Sequence, residues 1–139
     1  MTAAHPIRTI AVGVDGSTNA RAALEWAISL GTALDADVIA VHARGLLEHL
    51  GPPAEEVVAL FRDEWTTPLD AMGARGRKRV EDGDPVTVLR HIADDESVDL
   101  IVVGTRGLSD HPGLVLGSTS HQMAEDSRCP VLIVPPREV

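Results

Sequence analysis

The stretch LIVVGTRG, residues 100–107, decides how the rest of the chain is read. Four aliphatic residues in succession, with no polar alternation, suit a strand covered on both faces, and the run ends directly in a glycine. Such a strand needs companions of the same kind, and the chain supplies them in both directions. IRTIAVGV (7–14) ends at Asp15-Gly16-Ser17, a turn followed by a helix-capping residue. VIAVHA (38–43) and VLIV (131–134) are two further aliphatic runs. The fifth strand, Arg75 to Glu81, has the weakest signal: Val80 is a lone strong β-former among Arg77, Lys78 and Arg79, a charge that an exposed edge tolerates.

Helical patterns fill the intervals. Ala20, Ala23, Leu24, Ala27, Gly31 and Leu34 recur at spacings of three and four, which puts them on one face. After a loop from Gly45 to Pro53, the residues Val57, Leu60, Phe61, Trp65 and Leu69 mark a second amphipathic helix, expected to end or bend near Pro68. Asp84 and Pro85 form a helix start, capping side chain followed by proline, ahead of Val86, Leu89, Ile92 and Ala93. Ser118 to Ser127 is the fourth helix. Strands alternating with helices predict a single-domain α/β chain over residues 1–139: an open, doubly wound, five-stranded parallel sheet with helices on both faces, Rossmann-like in architecture. In such a sheet ligands are expected beyond the C-terminal strand ends, where strand order reverses.

Composition narrows the partners. Aromatic residues are only 2% of the chain, so the core must come from Val, Leu, Ile and Ala. A formal net charge of −9 disfavours binding to nucleic acid or to anionic membranes, which both need a cationic surface. The lone cysteine, Cys129, excludes an internal disulfide and a multi-cysteine metal site, and next to an aliphatic run it reads as a small packing residue. The first eight residues lack the apolar core of a signal peptide, and no stretch reaches the roughly 18 apolar residues of a membrane span, so the cytoplasm is the expected compartment.

Chemistry concentrates around GTRG (104–107) and, after nine intervening residues, GST (117–119). Glycines let the main chain turn tightly and approach a ligand, and the first amides of the following helix have no partner within it. Those amides, the helix dipole and the hydroxyls of Ser118 and Thr119 make a local anion site, and screening beyond about 8 Å limits the opposition of distant carboxylates. Arg106 adds a charged contact.

Gly104, Gly107, Gly117 and Ser118 reproduce the pattern G-x2-G-x9-G-S/T, and the chain thereby resembles the nucleotide-binding branch of the universal stress protein family. The likeness extends to VGVDGS (12–17), VHA (41–43), DGDP (82–85), DLIVVGTRGLS (99–109) and CPVLIVP (129–135). It implies a stress-response or regulatory module that binds an adenine nucleotide, ATP foremost, with Val14, Asp15, His42 and Ala43 lining the adenosine pocket. Gly104, Arg106, Gly107, Gly117, Ser118 and Thr119 would then hold the phosphates. A carboxylate near a triphosphate repels it unless it accepts ribose or adenine hydrogen bonds or shares a cation, so Asp15 is also the candidate metal contact, through a bridging Mg²⁺ or Mn²⁺. The resemblance further implies a homodimer paired through the edge strand Val131 to Val134. One departure is the connection Leu108-Ser109-Asp110-His111-Pro112, in which Asp110 would oppose phosphate.

Other functional classes fit poorly. No G-x4-G-K-S/T motif occurs, the first strand ends in Gly13-Val-Asp-Gly16 where a dinucleotide fold carries G-x-G-x-x-G, and there is no G-x-S-x-G elbow. The phospho-acceptor receiver pattern is absent, lacking an acidic pair after the first strand. The six histidines form no metal-binding i, i+4 pair around a glutamate. With no evident base or dedicated lysine at the phosphates, any ATP hydrolysis is expected to be slow. The alternative from a different class is a nucleotide-free, dimeric interaction protein of the same fold.

Overall fold

A computed structural model describes residues 6–45, 54–105 and 117–136. In chain order the elements are β1 (Thr9–Gly13), α1 (Thr18–Leu34), β2 (Asp37–Arg44), α2 (Ala54–Leu60), a π-helical turn (Phe61–Trp65) and a 3-10 segment (Thr67–Arg75). Then follow β3 (Gly76–Asp82), α3 (Pro85–Asp95), β4 (Leu100–Gly104), α4 (Ser118–Asp126) and β5 (Val131–Val134). The strands form one sheet in the order β3-β2-β1-β4-β5, and every neighbouring pair is parallel.

Alternation along the strands builds two cores. Ile10, Val12, Val38, Ala40 and Val102 face α1 and the 54–75 segment, where Leu24, Phe61 and Leu69 meet them. Ala11, Ile39, Val41, Ile101 and Val103 face α3 and α4, against Leu89, Ile92 and Met123. The small residues of α1 bring it close to the sheet: a Cβ on Gly31 would lie 2.6 Å from Cγ2 of Val38. Cys129 is half-buried against the second core, as expected of a packing residue. Among the described residues no helix is long and apolar enough to cross a membrane.

Two of the expected boundaries shift and a third holds. β1 stops at Gly13, so Val14 belongs to the turn and not to the strand, although its N–H still reaches the Val41 carbonyl at 2.8 Å. The helix expected to end or bend near Pro68 does so at Thr66, after widening into a π-helical turn at Phe61, and Pro68 lies in the first turn of the 3-10 segment that follows. β3 runs from Gly76 to Asp82, one residue later than the sequence suggested, and its charges have partners. Arg77 pairs with Glu96 at 2.8 Å and Arg79 with Asp95 at 2.7 Å, tying this edge strand to the C-terminal end of α3.

Candidate functional site

The C-terminal ends of β1, β2 and β4 open into a depression lined from several elements. It lies where the strand order reverses, with β2 on one side of β1 and β4 on the other. Gly13, Val14 and Asp15 come from the end of β1 and its turn, Val41, His42 and Ala43 from β2, and Val103 and Gly104 from β4. Helices complete the lining: Ala20 of α1, Pro85 and Leu89 of α3, and Thr119 and Ser120 of α4. Val41, Ala43, Leu89 and Val103 give it its apolar lining, while Asp15, His42, Thr119 and Ser120 add polar groups. This combination of mostly apolar lining and few convergent polar groups suits a small-molecule site.

Local sequence explains the framing turns. Ser17 caps α1 by accepting the Ala20 N–H at 3.1 Å, and Asp84 caps α3 by accepting the Thr87 N–H at 3.1 Å and the Thr87 hydroxyl at 2.7 Å. The Thr87 hydroxyl, and next the Thr87 N–H, hold the Asp84 carboxyl below its ordinary pKa. α4 is built differently: its capping residue is Gly117, which brings no side chain to the first-turn amides. The positive end of the helix dipole lies at this start, beside Thr119 and Ser120 of the lining.

Thr105 anchors this helix start to β4. Its carbonyl accepts the Gly117 N–H and, at 2.9 Å, the Ser120 hydroxyl, which also lies 3.1 Å from the Gly117 carbonyl. Gly104 is required on steric grounds, because a Cβ there would sit 2.8 Å from the Asn19 carbonyl oxygen in the first turn of α1.

The opposite rim is held by β2. His42 is 4% exposed, and its Nδ1 lies 2.9 Å from the Val14 carbonyl. A carbonyl oxygen only accepts, so Nδ1 carries the hydrogen. The Asp15 Oδ1 accepts the Ser17 N–H at 2.9 Å, which closes the turn and turns the carboxylate into a local brace as well as a lining group.

Of the residues singled out from sequence, Val14, Asp15, His42, Ala43, Gly104 and Thr119 line the depression together. Gly117 stands beside it as the start of α4, and Ser118 is in the same turn but does not line it. Arg106 and Gly107 lie outside the described residues, as do Asp110 and His111. Sequence reasoning missed Gly13, Ala20, Val41, Pro85, Leu89, Val103 and Ser120 as lining residues; Ser120 was discoverable as the third hydroxyl in the run Ser118-Thr119-Ser120.

A parallel sheet of this strand order, helices on both faces and a depression at the reversal point together define an open, Rossmann-like α/β protein with a pocket at its strand ends. The model of the universal stress protein family matches residues 6–135, and the chain belongs to that family. A universal stress protein of Thermus aquaticus is 34% identical over 134 residues, covering 91% of this chain and 98% of its own length. The structure of a universal stress protein in complex with cAMP is 32% identical, covers 94% of this chain and 98% of that one, and superposes with a TM-score of 0.69. MJ0577 of Methanocaldococcus jannaschii shares the fold with a TM-score of 0.81 at 24% identity, over 96% of this chain and 99% of that one.

Proposed function

We propose that this chain is an adenine-nucleotide-binding module of the stress-response or regulatory kind, with ATP as its expected ligand. The observation that carries the reading is the meeting of an apolar lining with a glycine-started helix inside one depression. Val41, Ala43, Leu89 and Val103 suit the faces of an adenine ring, and the first turn of α4 with Thr119 suits the phosphates; the family resemblance adds Arg106 and Gly107 to the phosphate end. That a relative 32% identical to this chain forms a complex with cAMP supports the adenine part of the proposal.

Asp15 would meet the ribose hydroxyls or, through Mg²⁺ or Mn²⁺, the phosphates. Among the described residues no group of three or more His, Cys, Asp or Glu side chains could hold a metal ion by itself. A cation bound here would therefore take much of its oxygen shell from phosphate and water, as Mg²⁺ commonly does. Binding and not turnover is the proposed task, in a cytoplasmic setting.

The second part of the proposal is a homodimer. β5 is the last strand of the sheet, and Val131, Leu132 and Ile133 are only half-buried there, an arrangement that suits pairing with a second copy. The direct test of the nucleotide reading is mass spectrometry of what heat-denatured, purified protein releases, combined with calorimetric titration of the emptied protein with MgATP. Released AMP or ATP and saturable binding are the expected results; no nucleotide and no binding heat would refute the reading, and released cAMP would revise the ligand.

A further inference from the structure

We infer that His42 and Trp65 are positioning residues that hold the Val14–Gly16 rim of the pocket from behind, so that occupancy of the pocket is read out at the Trp65 indole. The inference rests on the nucleotide reading above. Its basis is a continuous set of contacts that no single element supplies.

The His42 ring stacks on Phe61, centroids 5.6 Å apart, and meets Trp65 edge-on at 5.7 Å. Phe61 is fully buried, so the stack has a fixed base. From that base the imidazole donates to the Val14 carbonyl, while the Val14 N–H is taken by Val41. Both backbone groups of this lining residue are thus committed to β2.

Trp65 acts on the next residues. Gly16 has φ +88°, and a Cβ built there would lie 2.6 Å from Cζ2 and 2.8 Å from Cε2 of the indole. The glycine α-carbon therefore rests directly against the ring, at a conformation that also favours glycine. The indole is delivered by the π-helical turn Phe61–Trp65, a type of turn frequent at functional sites. Thr66 secures that turn: it is fully buried, and its hydroxyl lies 2.7 Å from the Phe61 carbonyl. Val14, Asp15, Gly16 and Ser17 each have an anchor, in His42, the Ser17 amide, Trp65 and Ala20 respectively. A ligand that touches Val14 or Asp15 consequently bears on a rim with little slack, backed by Trp65.

The test uses MgATP and the two tryptophans of the chain. Trp26→Phe removes the indole on α1, which is 55% exposed and not among the lining residues, leaving Trp65 as the sole emitter. Its emission is expected to change on ATP addition and to saturate at the affinity measured by calorimetry, whereas Trp65→Phe shows no such change. His42→Phe keeps a ring but removes the donor to Val14 and is expected to weaken ATP binding about five- to tenfold, the scale of one lost hydrogen bond. His42→Gln, which retains a donor, is expected to recover most of the loss. ATP binding accompanied by flat Trp65 emission and an unchanged His42→Phe affinity would overturn the inference while leaving the nucleotide reading standing. Absence of calorimetric binding to the native protein would overturn both. Should His42→Phe fail to fold by circular dichroism, the Trp26→Phe titration decides alone.

Discussion

A Cβ on Gly104 would stand 2.8 Å from the Asn19 carbonyl oxygen, so the end of β4 and the first turn of α1 are in contact that only glycine permits. The atom opposed is backbone, which cannot rotate away as a side chain could. Gly104→Ala is therefore expected to destabilise the fold by about 1–3 kcal/mol, the usual range for overpacking, and to weaken MgATP binding by displacing the rim. Urea denaturation and calorimetry measure the two effects; an alanine variant as stable as the native chain would contradict the contact.

Gly117 offers a separate test of the phosphate end. Its φ of −71° is open to any residue, so a larger side chain there need not strain the backbone. Gly117→Leu would nevertheless fill the approach to the α4 amides. ATP affinity is expected to fall at least about tenfold, or about 1.4 kcal/mol, with the fold and the oligomeric state unchanged. Undiminished affinity would defeat the assignment of phosphates to this helix.

The Asp84 cap predicts a definite pH response. Its carboxyl is held below the ordinary value first by the Thr87 hydroxyl and then by the Thr87 N–H. A group with a lowered folded-state pKa stabilises the fold fully above its unfolded value, about 3.9, and loses that contribution as the pH falls through the folded value. Asp84→Ala should cost about 1 kcal/mol at neutral pH, as loss of a helix cap does. Asp84→Asn should retain most of that stability and flatten the dependence below about pH 4, measured by thermal melts across the acid range. An equally steep acid limb in the asparagine variant would exclude Asp84 as its source.

For the edge strand, light scattering of the native chain is expected to return twice the 14.7 kDa monomer mass at micromolar concentration. Ile133→Pro, which removes a backbone donor from β5, should shift the mass towards monomer. A monomeric native chain would count against pairing through Val131 to Val134.

Much of the architecture was legible because aliphatic runs announce buried strands, and Leu100 to Val103 is the clearest case. β3 was faint for an equally physical reason: Arg77 and Arg79 belong to an edge strand through ion pairs with Glu96 and Asp95, partners distant in sequence. The turn at Phe61 was invisible because periodicity marks Phe61 and Trp65 as core-facing without showing that the helix widens between them. At the site, glycine spacing and strand-end position brought forward Gly104, Asp15 and Thr119. Leu89 looked like an ordinary member of an apolar helical stripe. Only when α3 is laid across β1 does its Cδ1 come within 3.6 Å of where a Gly13 Cβ would be, in the pocket lining.

The carbonyl of Thr105 receives the Gly117 amide, which means that the chain leaves β4 and re-enters at α4 through a single doorway. Whatever is spliced between those two residues must begin and end at neighbouring points, and its length need not be felt by the strands. Thr105 and Gly117 thus share one hinge pin, and a change that loosens either should be felt at the end of β4 and at the start of α4 together.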